Sequence, residues 1–465
     1  MKGDFSRFGF AAEQSFSRVL VQQGRLTLDA DANEQQALVL HALRALASDV
    51  IGRYGGAGDA FRLSTRDAGG RRHLMIAHGR YYVDGWMAEN GRELAYRAAG
   101  EGEAAMPGQP FHPLAADPKP GSYLACLEIW ERAVSAAELD PLGHPASPDA
   151  LREVALGGPD TSARAQLVWQ VRLHAAANLP QNAAGQIDLA NFQAIADRLL
   201  PPERGRLGAE AAAPPPESDN PCDVSPRSQY RGLENQLYRV EIARGGSAAA
   251  QGGATFVWSR ENGSVAFPIE RVAGTAVKLA DVWRDARFAI GVRNIVEVTS
   301  EASGLGEAPA FHRVEDWNPD TATVTLDAPP EIQSGGAARP LVLRRWDHGG
   351  PRGRGEGTPK LTPENTLMIE EDKPLTLEEG ISVRFAPPPA GGQSYRAGDY
   401  WLIPARVALG DILWPRSAAG PAMLPPHGID RHLAPLALVD VGGDGRPTVT
   451  KDLRSRIEPL AKPVP

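Results

Sequence analysis

The sequence predicts a mainly β protein with several antiparallel sheets, an N-terminal helix and few other short helices. Three observations carry this. Short runs rich in aromatic and β-branched residues, broken by Gly, recur from Phe61 to Leu453. The best helical spacing of apolar residues lies in one place, Ala32–Ile51. The 49 Gly and 40 Pro exceed average usage and imply many turns.

At 465 residues the chain exceeds one ordinary core, so two or three domains are expected. Residues 1–60 read as a strand-to-helix joint that could drive oligomerisation. A β-like run, "RVLVQQGRLTL", leads through "DADANE" into the helix, which Gly52 ends. In it Val39, Leu43, Leu46 and Val50, spaced four, three, four, form one apolar stripe. Leu38, Leu40, Ala42, Ala47 and Ile51 widen it, so the helix should be buried on most sides, by its own protein or by further copies.

Asp29, Asp31 and Asn33 alternate as in a calcium loop, but such a loop needs Gly sixth and Glu twelfth. Those places hold Glu34 and Leu40. The spacing of Asp31 and Glu34 fits a capping box instead, with Arg25 and Glu34 fixing the joint. No metal or cofactor is expected.

Residues 61–200 read as a β-rich domain. "FRLST", "RHLMIAHGRYYVDGWMAEN", "SYLACLEIWERAV" and "ARAQLVWQVRLHA" supply strands, the last with Leu167, Trp169 and Val171 on one face. Asp84-Gly85 reads as a tight turn, and "DLANFQAIADRLL" as a brief helix. Residues 201–228 hold seven prolines and the run "AAAPPP", the composition of a surface loop. Proteolysis is expected there first, after Arg204, Arg206 or Arg227.

Residues 229–465 read as a second β-rich domain ending in a hairpin around "GGDGR". Its strands are "NQLYRVEIA", "ATFVWSREN", "SVAFPIERV", "RNIVEVTS", "TATVTLDA", "PLVLRRWDH", "GISVRFA", "DYWLIPARV", "LAPLALVDV" and "RPTVTKDL". No motif recurs at a fixed period, so neither a solenoid nor a propeller is expected.

Chemistry is sparse. The ten His are scattered, and no HExxH, GxSxG, P-loop or clean GxGxxG appears. In "RRWDHGG", Asp347 and His348 could pair as acid and base. Adjacent strand residues point to opposite faces, so Trp346 packed inward with Asp347-His348 opening a turn is the better reading. Arg stands near a carboxylate in "WER" (130–132), "YRVE" (238–241) and "WSRE" (258–261), a pattern that suggests buried ion pairs holding register. Nine Trp spread over nine segments read as core rather than as a sugar-binding platform. Net charge −8 and no basic run disfavour nucleic acid as a partner. Nothing approaches eighteen consecutive apolar residues, so no membrane span is expected. The start "MKGDFSRFGF" has no apolar core of a signal peptide, which places synthesis in the cytoplasm, with Cys126 and Cys222 reduced.

Taken together, "SRVLVQQGRLTLDADANEQ", "YLACLEIWERAV", "LREVALGGPDTSARAQLVWQVRL", "YRGLENQLYRVEI", "TFVWSRENGSVAFPI", "YRAGDYWLIPAR" and "PPHGIDRHLAPLALV" resemble an uncharacterised bacterial domain family. That family is found with phage-tail-like particles and extracellular contractile injection systems, and the resemblance runs from Met1 to about Leu460. It implies a structural, non-enzymatic baseplate or tail-associated part, assembled in the cytoplasm into a particle of a kind released outside the cell. The partners it implies are other particle proteins and further copies of the chain, with a trimer as the leading guess. Some relatives continue into fibre-like regions, so a sugar-cleaving role housed there is not implied for this chain. The rival expectation is a carbohydrate-binding or carbohydrate-active β-protein, marked by exposed Trp faces and paired carboxylates in a cleft.

Overall fold

The computed structural model describes residues 1–98, 107–109, 118–139, 151–156, 160–202, 204–211, 230–248, 252–281, 286–300, 309–331, 341–349, 359–388, 395–418 and 420–458. It is β-rich, as the sequence predicts, with three α-helices among these residues: α1 (Asp29–Ile51), α2 (Ala136–Leu139) and α3 (Phe192–Leu199).

The first body follows α1. Its strands are β1 (Tyr54–Ala57), β2 (Leu63–Ala68), β3 (Arg71–Ile76), β4 (Gly79–Val83), β5 (Trp86–Asn90), β6 (Leu94–Ala98), β7 (Gly108–Gln109), β8 (Gly121–Val134) and β9 (Arg164–Ala175). Leu124 and Cys126 face one core with Phe192 and Ile195 of α3, while Ala125, Leu127 and Ile129 face another with Phe61, Trp169 and Val171. Burial on both faces explains why "YLACLEIW" reads as a continuous apolar run. The Asp84-Gly85 turn forms as expected, with φ of 47° and 79°, and Val83 pairs with Trp86 across it. Gly85 is also required sterically, because a Cβ there would lie 2.1 Å from the Arg44 carbonyl oxygen of α1. The brief helix predicted from "DLANFQAIADRLL" is α3, capped by the Asn191 side chain.

The second body contains β10 (Arg206–Ala211), β11 (Gln236–Arg244) and β12 (Thr255–Ser259). The chain then enters a six-stranded closed barrel made of β13 (Ala266–Ala273), β14 (Ala276–Leu279), β15 (Ile295–Ser300), β16 (Ala310–Asn318), β17 (Thr323–Leu326) and β18 (Leu341–Trp346). Around the barrel the order is β13-β14-β17-β16-β15-β18, with every neighbour antiparallel. Register shifts between Ile269 and Arg271 and between Val314 and Asp316 supply the extra bend that closure needs. Val277, Val296, Val314, Val324, Leu326 and Leu343 fill it.

Beyond the barrel come β19 (Leu367–Met368), β20 (Leu375–Thr376), β21 (Ile381–Ala386), β22 (Tyr400–Arg406) and β23 (Asp411–Ile412). The sheet β19-β12-β11-β22-β23 packs against β10-β21-β20 around Tyr238, Phe256, Phe385 and Trp401. A small ribbon, β24 (Arg416–Ser417) with β25 (Gly420–Pro421), precedes β26 (His432–Val441), β27 (Pro447–Asp452) and β28 (Arg456–Ile457).

Four expectations are corrected. "RVLVQQGRLTL" is not a strand: residues 15–28 run without sheet pairing and are exposed except for half-buried Val19. Helix α1 starts at Asp29 rather than Ala32, because Asp29 is already held by Ser6, whose backbone N–H and hydroxyl reach its carboxylate at 2.8 and 2.6 Å. Residues 201–228 are not all loop. β10 lies inside them, Leu207 is fully buried and pairs with Phe385, and 212–228 fall outside the described residues. The C-terminal hairpin does not belong to the second domain: β26 inserts between β27 and β8, and β28 pairs with β1, closing the first body. The hairpin turn itself is as predicted, with Asp444 accepting from the Arg446 N–H at 3.1 Å.

Candidate functional site

Two regions carry unusual chemistry. The first is the outer face of α1. Val39, Leu43, Leu46 and Val50 are 42%, 56%, 61% and 76% exposed, and only Ala30 and Leu38 of this helix are buried. The expected burial on most sides is therefore absent among the described residues. Continued toward the N-terminus, the stripe gives alternating core places at Ala32, Gln36, Val39, Leu43, Leu46 and Val50, the spacing of a coiled-coil seam. Leu40, Ala42 and Ala47 flank it, so the apolar face is broader than a two-helix seam. Leu20, Val21 and Leu26 of the preceding segment are also exposed, at 70%, 70% and 91%.

The other side of α1 is anchored to the first body. The Arg44 guanidinium stacks on Trp86 at 3.2 Å and bonds Glu131 at 2.9 Å. Asp31 does cap the helix, but not in a box with Glu34. Its carboxylate accepts from the Leu28 N–H at 3.2 Å, while Glu34 lies against Gly9. Arg25 is exposed. Asp29 and Asp31 thus have structural partners, in keeping with a helix start and not a calcium loop.

The second region is a cleft of about 340 Å³ where the first body, the second sheet and the barrel meet. Its walls come from β5 and β8 (Trp86, Glu131), α2 (Glu138), β11 (Arg239, Glu241), β15 and β18 (Glu297, Arg344), the start of β22 (Tyr400) and the loop carrying Arg431. Residues i and i+2 share a strand face, so Arg239 and Glu241 both point into it and bond at 2.5 Å. Burial would raise the Glu241 carboxyl, but Arg239 and Lys2 outweigh it and hold the group below its ordinary value.

The N-terminal residues run into this cleft. Lys2 Nζ lies 3.2 Å from Glu241 and 3.8 Å from Glu297, with the Trp346 ring centre 5.1 Å away. Trp346 in turn donates its indole N–H to Glu297 at 3.0 Å. The Met1 carbonyl accepts from Arg239 at 3.3 Å and from the Asn262 amide at 3.0 Å, and the Gly3 carbonyl accepts from the same amide at 2.9 Å. Asn262 and Gly263 adopt positive φ, which turns the Asn side chain toward the arm.

The Arg-carboxylate strings read as ion-pair carriers do form pairs, mostly over longer range. Arg132 bonds Glu138 at 2.9 Å, Arg260 bonds Glu378 at 2.7 Å, and Glu261 meets Arg287 at 2.8 Å. Asp347 and His348 are buried in a turn and diverge. Asp347 accepts from Ser259 and the Arg260 N–H, while His348 meets the Asn365 carbonyl. That geometry makes no acid/base pair. Cys126 is a buried free thiol, pushed above its ordinary value by burial, and Cys222 lies outside the described residues. The cleft went unread in the sequence because Lys2, Asn262, Glu297 and Tyr400 lie far apart along the chain. The available signal was charge placed inside apolar strands, as in "YRVEI" and "NIVEV".

No curated protein and no solved structure matches the chain. A family described as "Family of unknown function (DUF6519)" matches residues 1–196 and 194–451, so the chain belongs to the DUF6519 family.

Proposed function

We propose that this protein is a structural, non-enzymatic component of a phage-tail-like contractile injection particle. It is a baseplate or tail-associated docking part, assembled in the cytoplasm, that self-associates as a trimer through α1. The carrying observation is the apolar seam of α1, exposed along a helix about 34 Å long at 1.5 Å per residue. A contiguous apolar surface of this kind is a mark of a protein interface. Its flanks Leu40, Ala42 and Ala47 favour further copies over a charged partner. The resemblance in sequence to tail-associated proteins supplies the setting.

The rival, a carbohydrate-binding or carbohydrate-active protein, has less support. Trp130, Trp169, Trp258, Trp346, Trp401 and Trp414 are buried, and the Trp86 face carries Arg44. In the cleft Glu131, Glu138, Glu241 and Glu297 each face a Lys or Arg.

Light scattering at micromolar concentration tests the seam. The wild type should have about three times the mass of the chain, and the double variant Leu43→Asp/Leu46→Asp should be a monomer that still unfolds in one cooperative transition. A monomeric wild type sinks the proposal.

A further inference from the structure

The first residues of the chain occupy the cleft as a peptide ligand occupies a receptor. Two carboxylates on different sheets, Glu241 and Glu297, converge on one ammonium over the Trp346 ring. Both are buried, at 7% and 2% exposure. Arg239 and Asn262 read the two backbone carbonyls that flank Lys2. Gly3 sits at φ +155°, a backbone conformation that favours glycine as the third residue of the bound arm. Phe5 then packs beside Leu237, Tyr400 and Leu402. Cation, carbonyls and aromatic are thus each met by cleft residues in order, with a glycine backbone conformation between them.

The tether behind this ligand is long and lightly held. After Ser6, whose carbonyl accepts from Arg406 at 2.8 Å, the chain runs through 9–28 to α1. In 15–28 the Val19 N–H reaches Gln35 at 2.9 Å, and the surrounding side chains stand in solvent. Twenty extended residues span about 66 Å. That reach exceeds what the chain needs to serve its own cleft, since Ser6 already touches Asp29.

We infer that the cleft is a binding site for a cationic N-terminal peptide of the pattern Met-Lys-Gly-x-aromatic, filled in the single chain by its own arm and open to the same segment of a second copy once that arm is released. This inference does not depend on the α1 seam: peptide binding is read on the monomer, and loss of self-association leaves it intact.

The test uses the full chain carrying Lys2→Glu, which ejects its own arm, and a fluorescent peptide with the sequence of residues 1–8. Fluorescence anisotropy should show the peptide binding at least about 30-fold more tightly than the same peptide with Lys2→Glu, the loss that follows removal of one partner of a buried charge pair. The peptide with Gly3→Val, which keeps every charge, should also bind more weakly. The wild-type chain should bind poorly, because its tethered arm competes at an effective concentration in the millimolar range. A Lys2→Ala chain, which adds no new charge, should repeat the result if the first variant is poorly folded. Equal binding of the charged and reversed peptides, or no binding by either arm-released chain, overturns the inference.

Discussion

Helix α1 and the six-stranded barrel solve the problem of apolar surface in opposite ways. The barrel turns Val277, Val296, Val314, Val324 and Leu343 inward, each essentially inaccessible to water, and closure leaves it no sheet edge. α1 is built from equally apolar residues, yet Val39, Leu43, Leu46 and Val50 remain in solvent. The hydrophobic effect acts on both sets alike. One region completes its core within the chain, whereas the other leaves an apolar face in solvent, the face proposed above for self-association.

Three measurements would break or sharpen that contrast. The largest effect is expected in limited trypsin digestion. Arg18 and Arg25 lie in the unpaired exposed segment, so cleavage there should be at least about 10³-fold faster than after Arg204 or Arg206. The early cuts expected at the latter two are unfavourable because Arg204 bonds Asp399 at 2.8 Å and Arg206 pairs with Ala386 in β10. First cleavage after Arg204 would mean that the second sheet opens more readily than the arm.

Next comes core truncation. Leu343→Ala in the barrel should lower unfolding free energy by about 2–5 kcal/mol in urea titration. Leu46→Ala, measured at a concentration where the chain is monomeric, should change it by less than about 0.5 kcal/mol. Equal losses would show that α1 is packed in the monomer after all.

A third signal is a pH slope. Glu128 is 3% exposed between Arg431 at 2.5 Å and Arg172 at 3.3 Å. Burial alone would raise its carboxyl, but Arg431 and then Arg172 hold it below the ordinary value. The unfolded chain therefore binds this proton more tightly. Stability from Glu128 is complete above the ordinary Glu range and is lost as pH falls through the lower folded value. Glu128→Gln should reduce stability by about 3 kcal/mol at pH 7 and flatten this part of the acid limb. An unchanged acid limb in the variant would assign the slope to other carboxylates.

Much of the strand content was legible because it depends on alternation and residue type within a few positions. "ARAQLVWQVRLHA" becomes β9 with Trp169 and Val171 in the core, and Asp84-Gly85 becomes the positive-φ turn that a tight hairpin needs. The two-residue strands and β10 were not legible, because so short a pairing is made by its partner and not by its own periodicity.

By itself, then, the sequence determined the β-rich class, the N-terminal helix, the hairpin turns and the apolar stripe Val39–Val50, all products of local sterics and side-chain period. Tertiary structure alone decided that β13 to β18 close into a barrel and that β26 returns across about 300 residues to pair with β8. It also decided that "RVLVQQGRLTL" stays unpaired in the single chain and that Lys2 meets Glu241 and Glu297. These are long-range choices. Each depends on which surface remains to be covered once the local elements have formed, and no window of neighbouring residues contains that information.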